Sequence, residues 1–71
     1  MLRSKMKREL TNKQREVLQL TALGLVCKEI GDKIGVKDVA VRRYLDIVRT
    51  KLMARTTANA VYIAVKRGII S

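Results

Sequence analysis

The sequence contains no histidine, proline, phenylalanine or tryptophan, and it has a single cysteine among 71 residues. The usual imidazole and thiolate ligands of metal sites are therefore missing, so we predict no metal ion and no cofactor. Cys27 has no partner for an intramolecular disulfide, and we interpret it as a core or boundary residue rather than a redox sensor. The six acidic residues show no inward-facing pair, so we expect no catalytic residues and no enzyme activity.

The lack of proline and the presence of only four glycines leave most of the chain free to be helical. No sustained stretch alternates β-branched and polar residues, so the predicted fold class is all-α. No apolar run reaches the roughly 18 residues of a membrane span, and residues 1–10 lack the apolar centre of a signal peptide. We expect a small cytoplasmic domain with no membrane partner.

Positive charge dominates the composition. Sixteen lysines and arginines stand against six acidic residues, which gives a net charge of +10. This excess predicts a polyanionic partner, with a basic protein that has no specific partner as the alternative. Single-stranded RNA is disfavoured because the aromatic residues are two tyrosines, which offer few surfaces for stacking bases.

Capping and periodicity signals predict four helices after a flexible basic arm at residues 1–9. Thr11 and Gln14 form a capping-box pattern, and Gly24 suits the left-handed end of the first helix. Helix 1 is predicted to run from its cap at Thr11 to about Leu23, helix 2 from about Cys27 to Ile34, and helix 3 from about Asp38 to Met53. Helix 4 is predicted to begin after a cap at Thr56 or Thr57 and to end before Gly68.

Helices 2 and 3 are joined by a tight turn that Gly35 permits. Gly31 lies inside helix 2, where glycine costs up to about 1 kcal/mol relative to alanine. The close approach of another helix is the predicted reason for this glycine. A short helix, a glycine-bearing turn and a longer helix are together typical of a helix-turn-helix.

Helix 3 has two chemically different faces. Its apolar residues recur at spacings of three and four, as a 3.6-residue period requires. A helix that is braced on one side and cationic on the other suits the major groove of DNA. The apolar face comprises Val41, Tyr44, Leu45, Val48 and Leu52, and the opposite face comprises Val39, Arg42, Arg43, Asp46, Arg49 and Thr50.

Helix 4 is apolar nearly all round, although the last helix of a small domain normally has one solvated face. One apolar face is therefore predicted to meet another subunit; coverage of both faces by the domain and the arm is the alternative. The predicted dimer face comprises Ala58, Val61, Tyr62 and Val65.

An ordered set of short segments resembles the LuxR/FixJ-type DNA-binding domain, of which GerE-like proteins are stand-alone members. The resemblance covers about Leu10 to Ile70 without an insertion. It implies a four-helix fold in which helices 2 and 3 form the helix-turn-helix and helix 4 makes the usual dimer contact. The matching segments are Leu10-Thr11, Arg15-Glu16-Val17-Leu18, Gly24, Lys28-Glu29-Ile30, Val41-Arg42, Lys51-Leu52 and Ala60-Val61.

Several positions depart from that family pattern. Val26 and Lys37 stand where Ser or Thr usually caps helices 2 and 3, and each lost cap costs on the order of 0.5–2 kcal/mol. Ala40 replaces a threonine, so hydroxyl contacts to phosphate are missing at these three positions. The other departures are Cys27 for asparagine, Tyr44 for histidine, Met53 for glycine and Thr57 for arginine.

The resemblance places the outer face of helix 3 in the groove, and this face supplies the predicted base contacts. Arginine can donate two hydrogen bonds to guanine, which suits Arg42 and Arg43. Asp46 either accepts from cytosine N4 or, as we prefer, orients Arg42 or Arg43. Val39 either contacts a thymine methyl group or is an ordinary surface valine.

Cations around this face are predicted to contact phosphate, which positions a protein without reading sequence. These residues are Lys28, Lys37, Arg49 and Lys51, joined by the Tyr44 hydroxyl. Arg3, Lys5, Lys7 and Arg8 of the arm either add nonspecific attraction, with Lys13, or are simply solvated.

The leading hypothesis is a sequence-specific transcription regulator that binds double-stranded DNA as a homodimer on a two-fold related site. The alternative is an interaction protein that captures RNA polymerase or another regulator through helix 4 and binds DNA weakly. Met1 and the arm favour a complete small protein controlled by abundance or by a partner, with an excised domain as the other possibility.

Overall fold

A computed structural model describes residues 10–71, and the predicted arm at residues 1–9 lies outside the described part of the chain. The described residues form four helices and no strand, which confirms the all-α prediction. None of these helices is long and apolar enough to cross a membrane. Their bounds are α1 Asn12–Ala22, α2 Cys27–Ile34, α3 Asp38–Leu52 and α4 Thr57–Lys66, which correspond to the predicted helices 1 to 4.

The core lies around α3, which contacts the three other helices. Leu10 and Ile70, from the two ends of the described chain, are buried in the same cluster. The final residue is held on α1, because the Ser71 amide donates to Gln19 Oε1 at 3.0 Å and Gln19 Nε2 donates to the Ser71 carbonyl at 3.2 Å. The core residues from the helices are Val17, Leu18, Leu20, Ile30, Val41, Leu45, Val48, Leu52, Ala60 and Ala64.

The predicted capping box at the start of α1 is present. The Gln14 amide donates to Thr11 Oγ1 at 3.1 Å, and the Thr11 amide donates to Gln14 Oε1 at 3.0 Å. Gln14 is buried, and its Oε1 also accepts a hydrogen bond from Lys51 Nζ at 2.9 Å. One side chain therefore caps α1 and joins it to the end of α3.

Gly31 and Gly35 shape the turn of the helix-turn-helix. Gly35 has a left-handed φ of 79°, and the amides of Gly35 and Val36 both donate to the Gly31 carbonyl, at 2.8 and 2.9 Å. A Cβ atom at Gly31 would lie 2.5 Å from the Val36 carbonyl oxygen. The tightest approach to Gly31 therefore comes from the turn, and the amide nitrogen of Asp38, the first residue of α3, would lie 3.4 Å from the same Cβ atom.

The departures from the family pattern affect the ends of the helices. Val26 and Lys37 occupy the N-cap positions of α2 and α3 without a side-chain hydrogen bond. Glu29 supplies half of a capping box by accepting the Val26 amide at 2.9 Å. Met53, where the family has glycine, adopts a left-handed φ of 56°. Such a conformation costs a residue with a Cβ atom about 1–2 kcal/mol.

Completing the capping box of α2 is expected to stabilise the domain. In Val26→Ser the new hydroxyl accepts the amide of Glu29, and the free energy of unfolding should rise by about 1 kcal/mol. Because Val26 is 61% exposed, the substitution sacrifices little packing. Urea denaturation checks this, with Val26→Ala as the control that removes the same side chain without adding an acceptor. Equal stability of the two variants would contradict the capping role.

Candidate nucleic-acid interface

The buried side of α3 fixes which of its residues face solvent. Val41, Leu45, Val48 and Leu52 are at most 9% exposed and pack into the core. Successive residues of an α-helix are about 100° apart, so these four side chains form one stripe along it. Tyr44 flanks the stripe and is half-buried against the core, as its predicted packing role requires. The opposite side of α3 is therefore held outward by the whole domain.

The outward side carries every base-contact residue predicted from the sequence. By the same helical geometry, Val39, Arg43 and Asp46 lie near its centre, and Arg42 lies at its edge. All four side chains are exposed, and Val39 is 58% exposed. At its amino-terminal end a shallow depression of about 340 Å³ is lined by Lys37, Val39, Ala40 and Arg43.

Asp46 is paired differently from the sequence interpretation. Its Oδ1 accepts from Arg49 Nη2 at 2.9 Å, which is the salt bridge found within residues 10–71. From the sequence we prefer Arg42 or Arg43 as the partner of Asp46, but within residues 10–71 the structure pairs it with neither. An acid placed before a base at the i,i+3 spacing is a favourable arrangement on a helix, and that spacing is visible in the sequence. Arg49 is thus engaged by Asp46, although we predicted it to contact phosphate.

Lys51 also has a role that the sequence interpretation missed. It is half-buried, and its Nζ donates to the buried Gln14 Oε1 at 2.9 Å. By helical geometry Lys51 points about 140° away from Asp46, toward the same side of α3 as Tyr44. Lys51 therefore joins α3 to α1, and its contact with phosphate stays a prediction. Two residues separated by 37 positions meet here, and no local spacing reveals such a pair.

Two further lysines predicted to contact phosphate lie at helix starts. Lys28 is exposed in the first turn of α2, and Lys37 is exposed at the N-cap of α3. Because Lys37 makes no capping hydrogen bond, the first amides of α3 lack a side-chain partner at this end. Backbone amides and a positive helix end favour anions. Lysine side chains and the first backbone amides of α3 thus lie together at the edge of the outward side, where both can attract an anion.

The predicted dimer face of α4 is partly used by the domain itself. Ala60 and Ala64 are fully buried on the opposite face, and Val61 is half-buried against the core. Tyr62 and Val65 are 60% and 46% exposed, and Ala58 is also exposed. Three of the four predicted residues therefore present an apolar surface to solvent. Leu23 and Val26, between α1 and α2, are exposed apolar residues that the sequence interpretation did not assign to a surface.

A helix-turn-helix within four helices, with a cationic helix face turned outward, defines a DNA-binding domain of transcription regulators. Residues 8–64 match the GerE family, described as bacterial regulatory proteins of the luxR family. The chain belongs to this family, which confirms the resemblance seen in its sequence. The family consists of DNA-binding regulators rather than enzymes.

A similar protein is the transcriptional regulatory protein DesR of Bacillus subtilis (strain 168). It is 32% identical over 59 residues, which is 83% of this chain and 30% of DesR. The chain therefore spans less than a third of the length of this relative. The similarity supports the DNA-binding domain, and the activity of the longer protein does not follow from it.

Proposed function

We propose that this protein is a sequence-specific transcription regulator that binds a two-fold related DNA site as a homodimer, with α3 in the major groove. The observation that carries this proposal is the outward side of α3, where Arg43 stands opposite the buried stripe and the exposed Arg42 lies at the edge. Because the buried side of α3 is packed against the core, its exposed side chains keep a fixed position relative to the domain, which favours defined contacts with particular bases. Arg42 and Arg43 contact guanine, and Val39 contacts a thymine methyl group.

Phosphate contacts are proposed for Lys28 and Lys37, together with the first amides of α3 and the Tyr44 hydroxyl. The hydroxyl-bearing caps of the family are absent at Val26 and Lys37, so lysine charge supplies much of this attraction. Each phosphate neutralised by a cation releases counterions, and the affinity then falls with salt. Binding should accordingly depend steeply on salt concentration.

Dimerisation is proposed through the exposed face of α4, which presents Ala58, Tyr62 and Val65 beside the half-buried Val61. Exposed apolar patches commonly mark contacts with other proteins. A two-fold axis through α4 places two copies of α3 on successive major grooves. The two half-sites should then be centred about one helical turn apart, at about 10 base pairs.

Breaking the α4 contact is expected to yield a monomer that binds a single half-site weakly. Val65→Glu places a charge on the exposed apolar face without disturbing the core, whereas Val61→Glu would also strain the domain because Val61 packs inward. Sedimentation should show the change from dimer to monomer. Lys66→Glu, an exposed neighbour on the same helix, is the control for added negative charge. If the Val65→Glu protein remains dimeric, the exposed face of α4 does not form the dimer contact.

Selection of bound sequences from random duplex DNA, at a stated salt concentration, tests the proposed function directly. An enriched, two-fold symmetric motif is the expected result. Enrichment of an unpaired half-site would contradict the homodimer, and recovery of random sequences would contradict specific recognition.

A second candidate function is an interaction protein that binds RNA polymerase or another regulator through α4 and binds DNA only weakly. The exposure of Tyr62 and Val65 is the observation that favours it. A salt titration on selected and random duplexes separates the two functions. Steep salt dependence with equal affinity for both duplexes counts against the specific regulator, because phosphate contacts alone carry no sequence information.

A further inference from the structure

Asp46 is an acidic side chain on the face that is proposed to meet DNA. It is 70% exposed and lies one turn after Arg42 and Arg43 on the outward side of α3. A carboxylate in the groove is repelled by the nearby phosphates unless it is neutralised or gains a specific contact. Its presence among arginines therefore requires a chemical reason.

The ion pair with Arg49 holds the carboxylate in a defined position. Arg49 Nη2 donates to Asp46 Oδ1 at 2.9 Å, and within residues 10–71 the structure shows no hydrogen bond to Oδ2. The Arg49 side chain is 39% exposed and the Asp46 side chain is 70% exposed, so solvent reaches both partners of the ion pair. One oxygen is thus anchored while the other stays available to a donor.

We propose that Asp46 reads cytosine, by accepting a hydrogen bond from its N4 amino group, and that Arg49 is a positioning residue that holds Asp46 in place. This inference rests on the proposed function and reassigns Arg49 from the phosphate contacts. Cytosine and adenine both offer an amino donor in the major groove, but the adenine N6 group lies beside the N7 acceptor, which repels a carboxylate, so cytosine N4 is the better partner. Arg49 also offsets the charge of Asp46, which lowers the repulsion from phosphate.

The geometry also places the cytosine within the half-site. One turn of α3 advances about 5.4 Å along the helix axis. Adjacent base pairs are about 3.4 Å apart. The cytosine read by Asp46 should therefore lie one or two base pairs from a guanine contacted by Arg42 or Arg43.

The test measures binding of the full chain to selected duplexes in which this one position is varied through all four bases. The wild-type protein should prefer cytosine there by at least about fivefold. Asp46→Asn should lose that preference, and Arg49→Ala should relax discrimination at the same position while leaving the other positions unchanged. In an Asp46→Ala background the Arg49→Ala change should have no further effect on discrimination, because coupled residues are not additive. Arg49→Lys should restore part of the preference.

Three results would overturn the inference. Arg49→Ala could weaken binding to selected and random DNA equally and reduce the slope of log affinity against log salt concentration by about one. In that case Arg49 contacts phosphate and does not position Asp46. If the wild-type protein prefers no base at this position while discriminating elsewhere, Asp46 reads nothing, although the proposed function stands. Loss of discrimination at every position in the wild-type protein would instead remove the proposed function itself, and this inference with it.

Discussion

Gly31→Ala is expected to destabilise the domain by about 1–2 kcal/mol, although alanine is the better helix former. The new Cβ atom would lie 2.5 Å from the Val36 carbonyl oxygen, a backbone atom that cannot rotate away. Overpacking of this kind typically costs about 1–3 kcal/mol, and the helix propensity of alanine offsets at most about 1 kcal/mol. In a small domain each kcal/mol lowers the melting temperature by about 4–8 °C. Thermal unfolding monitored by circular dichroism gives the measurement.

The same substitution should weaken specific DNA binding, since relief of the clash moves the turn between α2 and α3. Gly31→Val should have a larger effect on both quantities, because it adds more atoms at the crowded position. Asp32→Ala is the matched control: it lies next to Gly31 on α2, is exposed, and should change stability by no more than about 0.5 kcal/mol. A Gly31→Ala protein as stable as the wild type would show that the turn adapts at no cost.

The elements of this fold were predictable where the signal is local. The capping pair Thr11 and Gln14 is separated by three residues, and the structure forms both of its hydrogen bonds. Gly24 and Gly35 both have positive φ, which follows from the steric freedom of glycine at the end of a helix. The period of the apolar residues in α3 likewise identified its buried side.

Features that depend on tertiary contacts were not predictable in the same way. The sequence shows that Gly31 is unusual within a helix, but the neighbour that requires it, the Val36 carbonyl, depends on the path of the turn. Lys51 is similar to other surface lysines until the fold brings it to the buried Gln14. A periodicity argument gives the direction of a side chain and says nothing about a partner 37 residues away.

Asp46 illustrates a choice between two local rules. A carboxylate on a helix can pair with a cation three or four residues before it or after it, and the sequence offers Arg42 and Arg43 on one side and Arg49 on the other. The structure selects Arg49. Within residues 10–71 it shows no salt bridge for Arg42 or Arg43, so their guanidinium groups are available to guanine.

Replacing both Arg42 and Arg43 by alanine is expected to reduce binding to the selected site to about the level of random DNA. Each bidentate contact of an arginine with guanine contributes about 1–3 kcal/mol of discrimination against the wrong base. Loss of two such contacts in each protomer therefore removes most of the difference between specific and nonspecific affinity. Both side chains are exposed, so the free energy of unfolding should change by no more than about 0.5 kcal/mol per substitution. Fluorescence anisotropy on selected and random duplexes measures the ratio of the two affinities.

A matched control separates base reading from the loss of positive charge. Lys66→Ala with Arg67→Ala also removes two exposed cations, but at the end of α4 rather than from the outward face of α3. This control should lower both affinities slightly and leave their ratio unchanged, because charge acts on any phosphate backbone. The single variants Arg42→Ala and Arg43→Ala should each relax a different base position in a new selection. If the double variant lowers both affinities by the same factor, these arginines contact phosphate and the reading of guanine must be assigned to other residues.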